Sequence, residues 1–491
     1  MSAVDKIRNS TKWLFTGTMG SKIYQFAFGV VLARILVPAD FGIMVTIQIF
    51  TGIAGYFSGA GMGQALVQVR SIRPHYYNIV FTMQMCIGVL IYFLFYLIAP
   101  WFAVYFENPM YVPLLRVAAV SFLWRPFLSI QNAMLQRQMR FKHISIVRLT
   151  VPVFTGIISI GMALSGYGVW SLILGGMVGS VLQILILFFV TRWRPGIRFE
   201  FTVARQLGTY GFKVSANSIL SYFGSQVDNI FVSRVLGPQA LGLYNKGYSL
   251  SEMPREIISK STYNVLFRAF SQEQDNLDMT RYVYYKSIML VTVYTAPIFV
   301  GLWWIADPFI EVVYGEKWLA CVPVLQILML KGILMCVGNI SGAVIEAQNR
   351  LGKEFTIMIE SLTLLCLGCY FFISKGIVFV AMVVLVRTVY SIVRITLFAC
   401  RLIDAKISTL LKSIFPGLFF SCIMLFLLFL LDIGLETMFR DLSKPLYLFI
   451  TVVFGAFVYS LSFLYIPVPS LASEVLKWKI RFKLTERENS F

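Results

Sequence analysis

Apolar runs of about 20 residues, separated by short polar stretches, follow one another along the whole chain. Each run is long enough to cross a hydrocarbon core as a helix. The pattern predicts fourteen spans, beginning near residues 11, 40, 77, 112, 144 and 169, then 208, 241, 283, 318, 352, 377, 412 and 446. The first run leads directly into further spans, so it reads as a span and not as a cleaved signal. The expected fold class is therefore an all-α polytopic membrane protein. A mean hydropathy of +0.77 agrees with a chain whose solvent is mostly lipid.

Charge then orients the spans. The formal net charge is +19. Lys and Arg crowd the loops of one side, in "RSIR" (70–73), "QRQMRFK" (136–142), "TRWRPGIR" (191–198) and "KWKIRFK" (477–483). The loops of the opposite side hold Lys317, Lys375, Arg440 and Lys444. By the positive-inside rule both termini are expected in the cytoplasm. The basic surplus then faces anionic lipid headgroups, and no nucleic-acid partner is needed to explain it. "CLGC" at 366–369 has metal-like spacing but no His or carboxylate cluster close by in sequence, so it reads as packing. No metal or other cofactor is expected.

The chain also carries a faint internal duplication. "ARILVPADFG" (33–42) aligns with "SRVLGPQALG" (233–242), sharing Arg, Leu, Pro and the final Gly. Each copy joins one span to the next, and six spans separate them. An even number restores the orientation, so the halves are expected to be parallel repeats about an axis along the membrane normal. The expected layout is an N-terminal six-helix lobe at 1–192, a basic cytoplasmic linker at 193–207 and a second six-helix lobe at 208–402. Two more spans follow at 403–470, then a basic tail at 471–491. Gly55, Gly59 and Gly63, four residues apart in span two, read as a small-residue face for close helix contact.

The informative residues are the charges inside the spans, since each costs about 2.5–3.5 kcal/mol at the centre of a lipid-facing helix. In span eight Lys246, Glu252, Arg255, Glu256 and Lys260 fall on one half of the helix, opposite Leu243, Leu250, Pro254, Ile257, Ile258 and Val265. That helix is expected to line a wet, polar cavity. A structural reading stands beside this one, in which the charges pair with one another. Asp228 in span seven lies within about a turn of Lys246 by height, and Asp228, Glu252 and Glu256 are candidates for ion coupling. Glu360 and Arg387, level on spans eleven and twelve, are expected to form a structural pair. The first lobe differs. Residues 1–200 contain as acids only Asp5, Asp40, Glu107 and Glu200, all in loops or the tail. Yet Lys22 and Arg125 lie near the middle of their spans, with Arg116 nearer the outer face. Such cations call either for acids across a cleft or for an anionic substrate.

Nearly the whole chain resembles the bacterial polysaccharide exporters of the multidrug/oligosaccharidyl-lipid/polysaccharide (MOP) superfamily, in particular the colanic acid and teichuronic acid exporter branch. The resemblance is carried by "ARILVPADFG" (33–42), "LQRQMRFKHI" (135–144), "VLFRAFSQEQDN" (265–276) and "VYGEKWLACVPVLQIL" (313–328). It implies a V-shaped pair of six-helix lobes in the bacterial inner membrane, with alternating access between its two faces. The implied substrate is an oligosaccharide repeat unit on polyprenyl pyrophosphate, with a polysaccharide polymerase and glycosyltransferases as candidate partners. Related flippases use cavity arginines for the pyrophosphate, but no local motif maps those onto this chain. Lys22, Arg125 and Arg255 are chosen here by depth and charge. A drug/cation antiporter of the same fold is the nearest alternative and would need a carboxylate-dominated cavity. A membrane polymerase or glycosyltransferase would be expected to carry catalytic residues on a substantial outer loop, and the outer loops here are short.

Overall fold

The computed structural model describes residues 3–59, 61–69, 72–438 and 442–481, without the side chains of 3–12, 14, 15, 210, 212–214, 216, 217, 256–262, 264, 351 and 438. The chain forms two compact units, Met1–Leu243 and Tyr244–Phe491. The first holds α1 (Ala3–Ile35), α2 (Pro38–Gly59), α3 (Met62–Gln68), α4 (Pro74–Tyr105), α5 (Tyr111–Ala119), α6 (Ser121–Arg137), α7 (Phe141–Leu164), α8 (Val169–Thr191), α9 (Phe201–Val235) and the first turns of α10 (Gly237–Gln272). The second continues α10 and adds α11 (Leu277–Trp304), α12 (Ala306–Tyr314), α13 (Val322–Ala347), α14 (Leu351–Phe372), α15 (Ile377–Leu402), α16 (Ile407–Met438), α17 (Lys444–Tyr465) and α18 (Ala472–Arg481).

Helices are what lipid demands, because only they satisfy every backbone polar group within one segment. Local chemistry sets their ends. Pro74 opens α4, where its missing N–H leaves no bond unmade. The Asn276 side chain accepts from the Met279 backbone N–H at 3.1 Å and caps α11. Gly237, at φ 81°, turns the chain between α9 and α10.

Every predicted span falls on a helix, the fourth on α5 and α6 together. Among the described residues, eleven helical segments are long and apolar enough to cross a membrane, so this is a multi-pass membrane protein. The three that fall short are α1, α9 and α10, with 33, 35 and 36 residues. At 1.5 Å per residue each is about 50 Å long, and charged residues dilute its apolar stretches. The full count of fourteen therefore rests on the sequence pattern.

The compact units also divide elsewhere than at the basic segment 193–207. Trp193, Val203, Ala204 and Leu207 are buried in one cluster with Met62, Leu66, Ile79 and Ile130. The Arg198 backbone N–H donates to Thr82 Oγ1 at 3.0 Å. Apolar anchors at both ends of the basic stretch thus tie it, with α9, onto α3, α4 and α6 of the first unit.

The two copies of the duplicated segment meet inside the first unit. A Cβ on Gly42 would lie 1.8 Å from the Pro238 carbonyl oxygen, and one on Gly242 would lie 1.9 Å from the Pro38 carbonyl oxygen. Each glycine of one copy therefore receives the proline carbonyl of the other. Reciprocal contact is the signature of a two-fold relation, and it supports parallel repeats. Thr46 Oγ1 and Ser233 Oγ, 2.6 Å apart, continue the contact one turn along α2.

Two prolines within helices create a need that neighbouring helices meet. Pro100 of α4 has no N–H for the Tyr96 carbonyl four residues back. Arg116 on α5 donates its Nε to that carbonyl at 3.3 Å and lays its guanidinium over the Tyr96 ring at 4.1 Å. Pro297 of α11 likewise frees the Val293 carbonyl, to which Tyr459 of α17 donates its hydroxyl at 2.5 Å. Arg116, expected among the cavity cations, here answers the carbonyl that Pro100 leaves without its helical partner. Arg116→Ala should cost about 1–3 kcal/mol, the penalty for an unmet carbonyl. In a Pro100→Ala background, where the alanine N–H restores the helical bond, the cost should shrink. Thermal unfolding of the four proteins measures this, and equal costs in both backgrounds would refute it.

One expected pair is also re-partnered. Glu360 of α14 is held by Arg394 of α15 at 2.9 Å and by the Tyr390 hydroxyl at 2.8 Å. Arg387 was the expected partner. Arg394 lies seven residues further along the same helix, so the two arginines share a face. Height counted from the hairpin favours Arg387 by sequence alone. Arg394 has Tyr390 to bridge it, with its Nη1 donating to the Tyr390 hydroxyl at 2.7 Å.

Candidate functional site

In the first unit the cation of interest is Arg125. It stands on α6 and reaches α2, where its Nη2 donates to the Thr51 carbonyl at 3.4 Å. Its guanidinium lies 4.8 Å from the centre of the Phe122 ring. Room for it comes from Gly55, where a Cβ would lie 1.6 Å from Arg125 Nη1. One turn on along α6, Ser129 lies opposite Gly63, which belongs to α3. The three glycines expected on one face are thus divided between two helices: Gly55 receives the arginine head, Gly63 faces Ser129, and a Cβ on Gly59 would meet nothing. At Gly52 α2 admits Tyr222 of α9, whose hydroxyl donates to the Gln48 carbonyl at 3.3 Å. Among the described residues no carboxylate bridges Arg125. Of the acids within residues 1–200, Glu107 pairs with Arg234 at 2.8 Å, Asp40 accepts from the Val37 backbone N–H at 3.2 Å, and Glu200 lies 3.7 Å from His75.

Lys22 is half-buried on α1. Gly17 and Gly20 of the same helix press against Ser145 and Leu149 of α7. Arg148 of α7, passed over in the sequence, donates to Thr18 Oγ1 one turn before Lys22 at 3.3 Å. Asp228 is buried on α9 beside Asn229.

In the second unit the charged face of α10 does not line an open cavity at Lys246 and Glu252. Lys246 holds its ammonium 4.8 Å from the centres of both the Tyr314 and Trp318 rings. Burial raises the Tyr314 phenol above its ordinary pKa, so that ring is neutral. Gly247 brings the backbone of α10 close to the Cys321 carbonyl and the Leu325 N–H at the start of α13. Glu252 is gripped by two cations. Its Oε1 accepts from Lys331 of α13 at 2.8 Å, and its Oε2 accepts from Arg255 Nε at 2.6 Å. Both oxygens are engaged, which argues against Glu252 as an ion-coupling group. Lys331, buried and 4.3 Å from the centre of the Tyr248 ring, is the partner that sequence reading missed. Its signal was present: a lone lysine in the middle of apolar span ten. The side chains of Glu256 and Lys260 lie outside the described residues.

The second unit thus carries a cluster of two cations on one carboxylate, with a net charge of +1. Arg255 is its most exposed member, its side chain 27% accessible. A cavity of about 400 Å³ between α11, α16 and α17 is lined by apolar and neutral side chains such as Pro297, Met424, Leu428 and Tyr459, so it offers an anion no counter-charge. Among the described residues no group of three His, Cys, Asp or Glu could hold a metal.

The sequence model of the polysaccharide biosynthesis protein family matches residues 31–323. The chain belongs to this family. It is 26% identical over 361 residues to the lipopolysaccharide biosynthesis protein WzxC of Escherichia coli (strain K12), covering 72% of this chain and 73% of that protein. It is 26% identical over 360 residues to the teichuronic acid biosynthesis protein TuaB of Bacillus subtilis (strain 168), covering 72% and 74%. Among solved structures, the lipid II flippase MurJ in an inward closed conformation matches with a TM-score of 0.74 at 18% identity, over 92% of this chain and 98% of that one. An inward-facing multidrug resistance MATE family transporter of the MOP superfamily matches with a TM-score of 0.62 at 14% identity, over 78% and 94%. The fold of this family member is that of the MOP superfamily.

Proposed function

We propose that this protein exports an oligosaccharide repeat unit linked to polyprenyl pyrophosphate across the bacterial cytoplasmic membrane, by alternating access of its two halves. It is a transporter and breaks no bond. Family membership supplies the setting in polysaccharide biosynthesis, and the flippase likeness supplies a fold suited to lipid-borne cargo. The observation that carries the reading is Arg125: a guanidinium held by a carbonyl and a ring, with no carboxylate bridging it among the described residues. Such a group still presents N–H donors in the planar fork that fits phosphate oxygens. Lys22 and the net positive cluster around Arg255 supply further charge, while the prenyl tail stays in lipid. The basic loops and both termini face the cytoplasm, where the precursor is made. The carboxylate-rich cavity of a cation antiporter is not favoured, because Glu252 is already neutralised by Lys331 and Arg255.

The test is transport by the purified protein in vesicles, with a fluorescent polyprenyl-pyrophosphate oligosaccharide in one leaflet and a membrane-impermeant quencher outside. Accelerated leaflet exchange is expected. No acceleration by well-folded protein, with uptake of an organic cation under an ion gradient instead, would transfer the assignment to the antiporter class.

A quieter substitution probes the same place. In Gly55→Ala the new methyl meets the end of a flexible side chain, so the guanidinium swings aside at little cost. Helix α2 should gain up to about 1 kcal/mol of propensity. Stability should therefore hold or rise while export falls, as read by unfolding temperature beside leaflet exchange. Full export with a displaced Arg125 would separate that residue from the substrate.

A further inference from the structure

After α17 the chain turns at 466–471 and forms α18, described over ten residues. Leu471 is fully buried, and Val475 and Trp478 pack with it against Met289, Phe420 and Phe463. Trp478 Nε1 donates to the Tyr294 hydroxyl at 2.8 Å, and Lys286 Nζ donates to the Ser470 carbonyl at 3.1 Å. The helix is therefore docked along α11 between an ammonium, Lys286, and a tyrosine eight residues further on. That is a zone about 12 Å deep, with Tyr294, Tyr465 and Trp478 clustered there as aromatic residues cluster at a membrane–water boundary.

The faces of α18 left uncovered are of two kinds. Helical spacing sets Leu476 and Ile480 on one flank and Lys477 and Arg481 on another. Leu476 is 51% exposed. The Lys477 side chain is 71% exposed and faces a single acid, Glu474, at 2.8 Å. Lys479 lies 5.5 Å from the centre of the Tyr465 ring and Arg481 5.3 Å from that of Trp478. Lys477 and Arg481 share a cationic flank with one compensating acid, Lys479 rises beside Leu476 at the edge of the apolar flank, and the third flank is locked to the protein. A helix buried in the protein would have no use for the cationic flank, and one free in water none for Leu476 and Ile480.

We infer that α18 lies in the headgroup layer and is a docking surface for anionic phospholipid, with Leu476 and Ile480 against acyl chains and Lys477, Lys479 and Arg481 on the phosphates. The partner is the bulk lipid of the leaflet, recognised by charge, and the inference is independent of what the protein transports. Each cation near an anionic surface is worth about a fivefold change in affinity.

The experiment is native mass spectrometry of the full-length protein titrated with phosphatidylglycerol or phosphatidylcholine. The protein is expected to prefer phosphatidylglycerol. In Lys477→Gln/Lys479→Gln/Arg481→Gln that preference should fall by about fivefold per charge removed, with phosphatidylcholine binding unchanged. Lys477→Arg/Lys479→Arg, which keeps the charge, should keep the preference. Should the triple variant not fold, the single Gln changes, which leave Val475 and Trp478 in place, are read instead. An undiminished preference, an equal loss of both lipids, or the same loss on neutralising Arg192, Arg194 and Arg198 would overturn the proposal.

Discussion

Arg125→Gln should leave the protein folded in the membrane and reduce export roughly tenfold to a hundredfold. The size follows from one charge-assisted hydrogen bond to phosphate, about 1.5–3 kcal/mol. Folding should survive because the Thr51 carbonyl lies inside α2 and keeps its own helical partner. Lipid-linked oligosaccharide should then accumulate on the cytoplasmic leaflet of cells making equal amounts of each variant. Arg125→Lys should be milder, since it retains the charge and loses the fork. Lys22→Gln should act in the same direction. Normal delivery with both positions neutralised would leave these cations as structural groups and remove the basis of the site.

Glu252→Gln should do the opposite, damaging the fold before the function. It leaves Lys331 and Arg255 facing each other with no carboxylate, and removing one partner from a buried ionic cluster costs about 3–5 kcal/mol. Little folded protein is expected, judged by the monodisperse fraction in detergent. Lys331→Met should be better tolerated, because Arg255 still neutralises Glu252, and adding it to Glu252→Gln should restore part of the yield. Wild-type yield from Glu252→Gln alone, coupled with lost transport, would return Glu252 to the candidates for ion coupling.

Most of the architecture could be read from the chain because lipid imposes a simple demand: about 20 apolar residues per crossing. Even the duplication at 33–42 and 233–242 was visible, in four shared residues, before its copies were seen to touch. What could not be read was partnership. The charges on α10 were recognised as too costly for lipid, yet their counterparts were Lys331, Tyr314 and Trp318, far along the chain on other elements. Without those, a face packed on α12 and α13 looks the same as a face open to water. Arg116 was half legible, since Pro100 announces a stranded carbonyl at Tyr96 but not which side chain answers it. For Glu360 the height was nearly right, and the choice between two arginines on one face depended on Tyr390. Arg125 stands out for a compositional reason, the scarcity of acids in residues 1–200, and among the described residues no carboxylate bridges it.

The reciprocal joint of Gly42 and Gly242 has an energetic consequence. Its two halves are the same contact made twice, proline carbonyl to glycine, across one axis. The backbones therefore cannot part on one side while staying seated on the other, and both contacts are gained or lost together. A methyl added to either copy pries open a joint that the second methyl finds already open. The two penalties should thus sum to less than their separate values. The reciprocity of the two backbone contacts makes this small joint cooperative.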